Sequence, residues 1–169
     1  MIETQVKDII QPSDLNQLLQ IMNGLIGETC WKANLSYGDE LTLHIGEKIP
    51  YSQKSMAGKE KGAWILGTRA TRWQLDYSDK VVVSSDDDPE VIKNKINIIK
   101  ENTITNVKIS YPNLILTVSF GNKCDLILFP DKEDTDFPYW EVFTPDQMVI
   151  KVGPGIIWSI KSSKTKITS

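Results

Sequence analysis

The feature that most constrains the fold of this chain is a repeat of its own sequence. A Ser-Tyr pair is followed by an alternating apolar and polar segment that ends in Gly-x-Lys, first at 36–48 and again at 110–123. The two copies lie 74 to 75 positions apart. Further matched positions are Trp64 and Trp140, Thr68 and Thr144, and Pro12 and Pro89. Self-similarity over most of a chain predicts two pseudo-equivalent halves, here about 12–86 and 87–161.

Length argues that the two halves share one core. Two independent domains of about 80 residues would each be marginal, whereas 169 residues can bury one sizeable core. We therefore expect a single domain over 1–169 with a flexible polar tail at 162–169. No apolar run reaches the roughly 20 residues that span a bilayer, and the first residues lack the pattern of a secretory signal. We expect a cytoplasmic protein with no membrane partner.

The same order of elements is predicted in both halves. A Pro-Ser-Asp start at 12–14 precedes apolar residues at helical spacing, and Asp88 with Pro89 suits the start of a second helix. Apolar and polar residues then alternate, which predicts antiparallel strands with turns at Gly38–Asp39 and Pro112–Asn113. We expect an α+β fold, mostly sheet, in which each half is a helix followed by an antiparallel β-meander.

A basic loop in the first half is the main candidate for anion binding. Segment 48–72 contains the Lys, Gly and Ser residues that are typical of a solvated loop. The stretch from Gly58 to Gly62 lacks both the Walker spacing and the Ser or Thr that follows its Lys, so it is not a P-loop. The candidate anion-binding residues are Lys54, Lys59, Lys61, Arg69 and Arg72.

The corresponding loop in the second half is acidic. The candidate partner-binding residues are Asp131, Glu133, Asp134 and Asp136, followed by Tyr139 and Trp140. Carboxylates complement a basic partner surface, and aromatic side chains supply buried area at interfaces. The run lacks the glycine and the terminal glutamate of an EF-hand loop, so we predict no metal site.

Five tryptophans fall in predicted strands, where core packing is the simplest explanation. Trp64 and Trp140 occupy equivalent positions in the two halves. Trp140 also lies beside the acidic loop, where an aromatic side chain rimmed by charge resembles a binding hot spot.

The inventory of catalytic groups is poor. His44, the single histidine, lies between Leu43 and Ile45 in an alternating strand, so we expect it to face solvent rather than to build a triad. Cys30 and Cys124 lack metal or redox spacing and are expected to be core thiols. We predict no catalytic residue and no cofactor. The net charge of −3 argues against a nucleic-acid partner.

These observations favour a binding protein over an enzyme. Our leading hypothesis is a small bacterial-type interaction protein that neutralises or regulates a partner with a basic surface, by analogy with toxin-neutralising immunity proteins. One alternative is a small-molecule or nucleotide-binding module that uses the basic loop. A second alternative is a hydrolase or transferase whose acids the sequence does not single out. A structural subunit that forms a homo-oligomer through unpaired strand edges also stays open.

Overall fold

The computed structural model describes residues 4–36, 40–52, 54–69 and 71–163. Within these ranges the strands are β1 Gln5–Asp8, β2 Thr29–Ser36, β3 Glu40–Pro50, β4 Glu60–Gly67, β5 Arg72–Tyr77, β6 Lys80–Ser84, β7 Asn102–Ile109, β8 Leu116–Phe120, β9 Cys124–Phe129, β10 Trp140–Phe143, β11 Met148–Val152 and β12 Ile157–Ser162. Strands account for 49% of the structure, which confirms the predicted sheet-rich α+β class.

One short α-helix precedes strands β2 to β4, and a second precedes strands β7 to β9. The α-helices are α1 Asn16–Met22 and α2 Pro89–Lys95, and 3-10 helices lie at Pro12–Leu15, Asn23–Leu25, Lys54–Met56 and Ile96–Ile99. The Asp88 carboxylate accepts a hydrogen bond from the backbone N–H of Glu90 at 2.9 Å, so it caps α2 as its sequence position predicts. Leu18 and Met22 of α1 and Ile92 of α2 are buried in the common core. Both helices therefore pack through an apolar stripe.

All the described strands belong to one antiparallel sheet. Its order is β1-β12-β11-β10-β4-β3-β2-β7-β8-β9-β5-β6. The consecutive strands β2, β3 and β4 are neighbours, and so are β7, β8 and β9. After each triplet the chain crosses to the other half of the same sheet. From β4 it continues to β5, which pairs with β9, and from β9 it continues to β10, which pairs with β4. The expected pair of self-contained meanders is therefore not found, since alternation predicts a strand but not its neighbour.

Side chains and backbone fix the two crossings to each other. The segment that leaves β4 contains Thr68, whose hydroxyl accepts a hydrogen bond from the Leu41 N–H at 2.9 Å. Thr71 then donates its hydroxyl hydrogen to the carbonyl oxygen of Tyr139, just before β10. Arg69 lies between the two threonines with a φ of 52°. The start of β10 is thus held against the end of β4, beside the acidic loop.

The core contains most of the aromatic and sulfur-bearing side chains that the sequence assigns to it. Trp64, Trp73, Trp140 and Trp158 are buried, and Trp31 is half-buried. Cys30 and Cys124 are free and buried, so their interpretation as core thiols is confirmed. Burial is the main reason that the pKa of Cys30 rises to about 12, and it also raises the pKa of Cys124.

The two ends of the described chain meet at one edge of the sheet. Strand β1 pairs with β12, and Ser162 is the last residue of β12. The backbone N–H of Ser163 donates to the Gln147 carbonyl at 2.8 Å. The first two residues of the predicted tail therefore belong to the fold. Positions 164–169 of that tail, and the predicted turn at Gly38–Asp39, lie outside the described residues.

Candidate functional site

One face of the sheet carries side chains that are not part of the core. Successive side chains of a strand point to opposite faces, so the residues between the buried ones on β3, β4 and β10 share an outer face. The register places Ile65 beside both His44 and Phe143, and Phe143 beside Val149. Lys161 follows on β12. This row is apolar at its centre and cationic at one end.

A second row runs parallel to the first. It is formed by Thr42, Gly67, Glu141 and Lys151 on four neighbouring strands. Gly67 contributes no side chain, and a Cβ placed there would meet no other atom within 4 Å. The outer face therefore has a gap above Gly67, between Thr42 and Glu141.

Three hollows of about 310, 180 and 370 Å³ open on this face. Phe143 lines all three, so they adjoin one another around its ring. We call this region the sheet cleft and define it by Ile65, Gly67, Arg69, Glu141, Phe143 and Lys151. Ligand pockets combine apolar walls with a few convergent polar groups, and the sheet cleft has this composition.

Glu141 is the electrostatic centre of the sheet cleft. Its carboxylate lies 3.3 Å from Nε of Arg69 and 3.8 Å from Nζ of Lys151. The Glu141 side chain is only 15% exposed, so water and salt screen these ion pairs less than they would screen a fully solvated pair. The Arg69 guanidinium also stacks on the ring of Phe137, 5.4 Å from its centroid. Arg69 thus links the sheet cleft to the residue that follows the acidic loop.

The structure separates the predicted anion-binding residues. Lys61 lines the 310 Å³ hollow, with its Nζ 5.5 Å from the centroid of the Tyr51 ring. Arg69 lines the 180 Å³ hollow. Lys54 and Lys59 are exposed beside a short 3-10 turn and line none of the three hollows. Arg72 pairs with Asp86 at 3.4 Å, and both side chains are largely exposed.

The acidic loop, residues 131–136, is built by its own carboxylates. The side chain of Asp131 accepts a hydrogen bond from the N–H of Glu133 at 3.0 Å, and that of Asp134 accepts one from the N–H of Asp136 at 3.1 Å. Such Asx turns are common where a short polar side chain replaces a backbone partner. Asp131, Glu133 and Asp136 are exposed, and Asp134 is half-buried.

Tyr139 and Trp140 lie in the core instead of at the surface of this loop. Tyr139 is 3% exposed and Trp140 is fully buried. The Tyr139 hydroxyl accepts a hydrogen bond from the N–H of Gly155 at 3.0 Å. Direct contact between these two rings and a partner does not fit this placement, because strand β10 begins at Trp140 and turns that side chain inward. An exposed aromatic ring does follow the acidic loop directly, that of Phe137, at 46%.

His44 is buried, so the expectation of a solvent-facing histidine is wrong. The ring does point to the outer face, but it is only 7% exposed and lies 5.4 Å from the Trp31 ring. Its Nδ1 accepts a hydrogen bond from the Gly62 N–H at 3.0 Å. Burial, followed by the positive charge of Lys32, lowers the pKa of His44 to about 4. The ring is neutral at physiological pH.

Sequence reasoning missed Gly67, Glu141, Phe143 and Lys151. Alternation does assign the side chains of the last three to one face of their strands, but the cleft forms only because β10 pairs with β4. That pairing is not encoded in any local pattern. In the described ranges, no three His, Cys, Asp or Glu side chains are grouped closely enough to hold a metal ion.

Comparisons with protein-family models, with curated proteins and with solved structures give no match to this chain. Neither α-helix in the described part of the chain has the length and apolar character needed to cross a bilayer.

Proposed function

We propose that this chain is a non-enzymatic, cytoplasmic protein-binding module that engages a partner with a basic surface through the acidic loop. The observation that carries the proposal is the form of this loop. Two of its carboxylates are fixed by hydrogen bonds to the loop backbone, and the charges of Glu133 and Asp136 extend into solvent. Binding would neutralise or regulate the partner, as an immunity protein does.

The position of the acidic loop supports this role. Tyr139 and Trp140 anchor the chain in the core directly after the loop, and Thr71 holds the Tyr139 carbonyl from the opposite crossing. A loop whose ends are fixed loses less conformational entropy on binding than a free segment. The half-exposed ring of Phe137, stacked on Arg69, supplies an aromatic contact at the edge of the charged surface.

The state of the nucleophiles and bases also favours binding over catalysis. A general base works best with a pKa near the operating pH, whereas the pKa of His44 is about 4. The pKa of Cys30 is raised to about 12 and its thiol is buried, so the thiolate that would act as a nucleophile is disfavoured. Among the described residues these groups have no environment that would activate them.

The test is affinity capture from a lysate with two matched variants. The first replaces Asp131, Asp134 and Asp136 by Asn and Glu133 by Gln, which removes four charges but keeps the side-chain oxygens that accept the turn hydrogen bonds. The control removes four charges elsewhere on the surface, through Glu47→Gln, Glu60→Gln, Asp79→Asn and Glu90→Gln. Both variants have the same net charge. Captured proteins are identified by mass spectrometry.

We expect a protein that is retained by the wild type and by the control variant and lost with the loop variant. Retention by all three chains would show that the acidic loop is not the binding surface. Capture of no protein above background by the wild type would contradict the proposal itself.

A second candidate function is the binding of a small molecule. The specific observation in its favour is that Lys61 and Arg69, two of the predicted anion-binding residues, line neighbouring hollows of the outer sheet face. The cations of the exposed 3-10 turn would then play no part. Ligand-dependent thermal stabilisation is the measurement that separates this candidate from the first.

We also infer that the two halves arose by duplication. The sheet order supports this, because it reads β2-β3-β4-β10-β11 in one direction from its centre and β7-β8-β9-β5-β6 in the other. Each strand of the first list precedes or follows its counterpart by five strands in chain order. In this correspondence the basic loop between β3 and β4 matches the β8–β9 turn at 121–123, and the acidic loop between β9 and β10 matches the crossing from β4 to β5. The basic and acidic loops are therefore not equivalent, contrary to the expectation from the sequence.

A further inference from the structure

We propose that the sheet cleft binds a small organic anion that has an apolar body and one carboxylate or phosphate group. The inference deepens the second candidate function and rests on it, and it is independent of the acidic loop. It names the chemistry of the ligand and adds residues on β10, β11 and β12 that the basic segment does not contain.

The side chains that line the three hollows carry an excess of positive charge. The three hollows are lined by four cationic side chains and two carboxylates: Lys61, Arg69, Lys151 and Lys161, with Glu40 and Glu141. This local excess of positive charge lies on a chain whose net charge is −3. Surfaces of one sign raise the local concentration of ligands of the opposite sign. The lining therefore favours an anion over a cation.

Two of the lysines that line the hollows form no ion pair with another described residue. Glu141 is paired with Arg69 and Lys151. Within the described ranges, Lys61 contacts the Tyr51 ring but no carboxylate, and Lys161 has no ion pair. These two lysines line different hollows that meet at Phe143. An oxyanion placed near either of them gains a partner without breaking an existing ion pair.

An apolar surface lies between the cationic side chains of the hollows. Ile65 and Phe143 form a half-buried floor, and Val149 lies beside Phe143 on β11 but is only 4% exposed. An apolar body that covers this floor removes hydrocarbon from water at both surfaces. Each hollow is at or below the low end of the 300 to 1,000 Å³ range that is typical of ligand sites, about the size for a compact molecule. A ligand with apolar and anionic ends matches the arrangement.

Gly67 provides a direct way to close the site. The residue is not in the left-handed region, and a Cβ there would enter open space. Valine suits strands, and its side chain at this position would occupy the gap between Thr42 and Glu141. Gly67→Val is therefore expected to fill part of the sheet cleft while β4 keeps its pairing with β3 and β10.

The experiment compares four probes on the full chain. Phenyl phosphate and hexanoate are anions, hexanol carries an alkyl chain similar to that of hexanoate without a charge, and hexylammonium carries a similar chain with a positive charge. At about ten times its Kd, a ligand of the native state raises the Tm of a chain of this size by about 3–6 °C. Amide shifts in ¹H–¹⁵N spectra report whether a probe lies near Gly67, Phe143 and Lys151.

We expect at least one anionic probe to raise the Tm and to shift these amides, whereas hexanol and hexylammonium do neither. Gly67→Val should abolish the response. Lys161→Met should weaken binding about tenfold, whereas Lys108→Met, an exposed strand lysine on β7, should leave it unchanged. The lysine pair keeps the test decisive if the Gly67 variant does not fold.

Three results would overturn the inference. The first is the absence of any response to both anionic probes. The second is a response to hexanol or hexylammonium as large as the response to the anionic probes. The third is a set of amide shifts confined to other parts of the chain. None of them bears on the acidic loop, whose test uses different residues and a protein partner. Failure of the ligand site and failure of the interaction module are therefore distinguishable.

Discussion

Strand β4 contains two glycines near its opposite ends that serve opposite purposes. A Cβ on Gly62 would lie 2.4 Å from the backbone nitrogen of Ile45 and 2.9 Å from the carbonyl carbon of His44. A Cβ on Gly67 would meet nothing within 4 Å. Gly62 is there because two backbones approach closely at a bulge in β3, and Gly67 leaves open space on the surface. The first glycine maintains the fold, and the second shapes a candidate site.

The largest effect is expected for Gly62→Ala. The neighbouring atoms are backbone atoms of β3 and the carbonyl oxygen of Trp64 in β4 itself, so the clash is relieved only if the backbone of both strands shifts. We expect a loss of about 3 kcal/mol or more in the free energy of unfolding, measured by urea denaturation. Gly67→Ala is the matched control. Equal stability of the two variants would contradict the different roles of the glycines.

The next effect is the pH dependence that His44 adds beside Gly62. Its pKa is about 4 in the folded chain and about 6.5 when unfolded, so the unfolded state takes up the proton first as pH falls. The stability contribution is complete above pH 6.5 and is lost towards pH 4, amounting to about 2–3 kcal/mol. His44→Gln keeps an acceptor for the Gly62 N–H and should show a smaller drop between pH 7 and pH 4.5. The same drop in both chains would disprove the assignment.

Gly67→Val should have a small effect on stability. Valine has a higher strand propensity than glycine and no neighbouring atom blocks its Cβ, so we expect a change of less than about 1 kcal/mol, in the stabilising direction. Thermal unfolding measures it. A marked destabilisation would mean that the gap above Gly67 is required for packing and is not free for a ligand.

The smallest effect on stability is expected for neutralisation of the acidic loop. Asn at 131 and 134 can accept the same backbone hydrogen bonds as Asp, and the exposed charges make no ion pair with another described residue. The free energy of unfolding should change by less than about 0.5 kcal/mol. A larger change would place the loop with Gly62 among the parts that maintain the fold.

Local pattern predicts the strands, the starts of both helices and the burial of most tryptophans. The pattern also assigns Trp140 to the core, and only its additional interpretation as a binding hot spot does not fit, because the strand that begins there alternates inward at its first position. Local pattern fails at His44, whose outward direction is correct but whose ring is covered by its contacts with Trp31 and Gly62. The sheet cleft depends on the pairing of β4 with β10, which joins residues that are far apart in sequence. Periodicity carries no information about such partners.

The most direct test of the proposed protein binding is capture of a partner protein by two variants side by side, the neutralised acidic loop and Gly67→Val. We predict that the loop variant loses the partner and that the Gly67 variant retains it, because the first changes the charges of the proposed interface and the second changes only the sheet cleft. Retention by the loop variant, or loss by the Gly67 variant alone, would contradict the assignment of protein binding to the acidic loop.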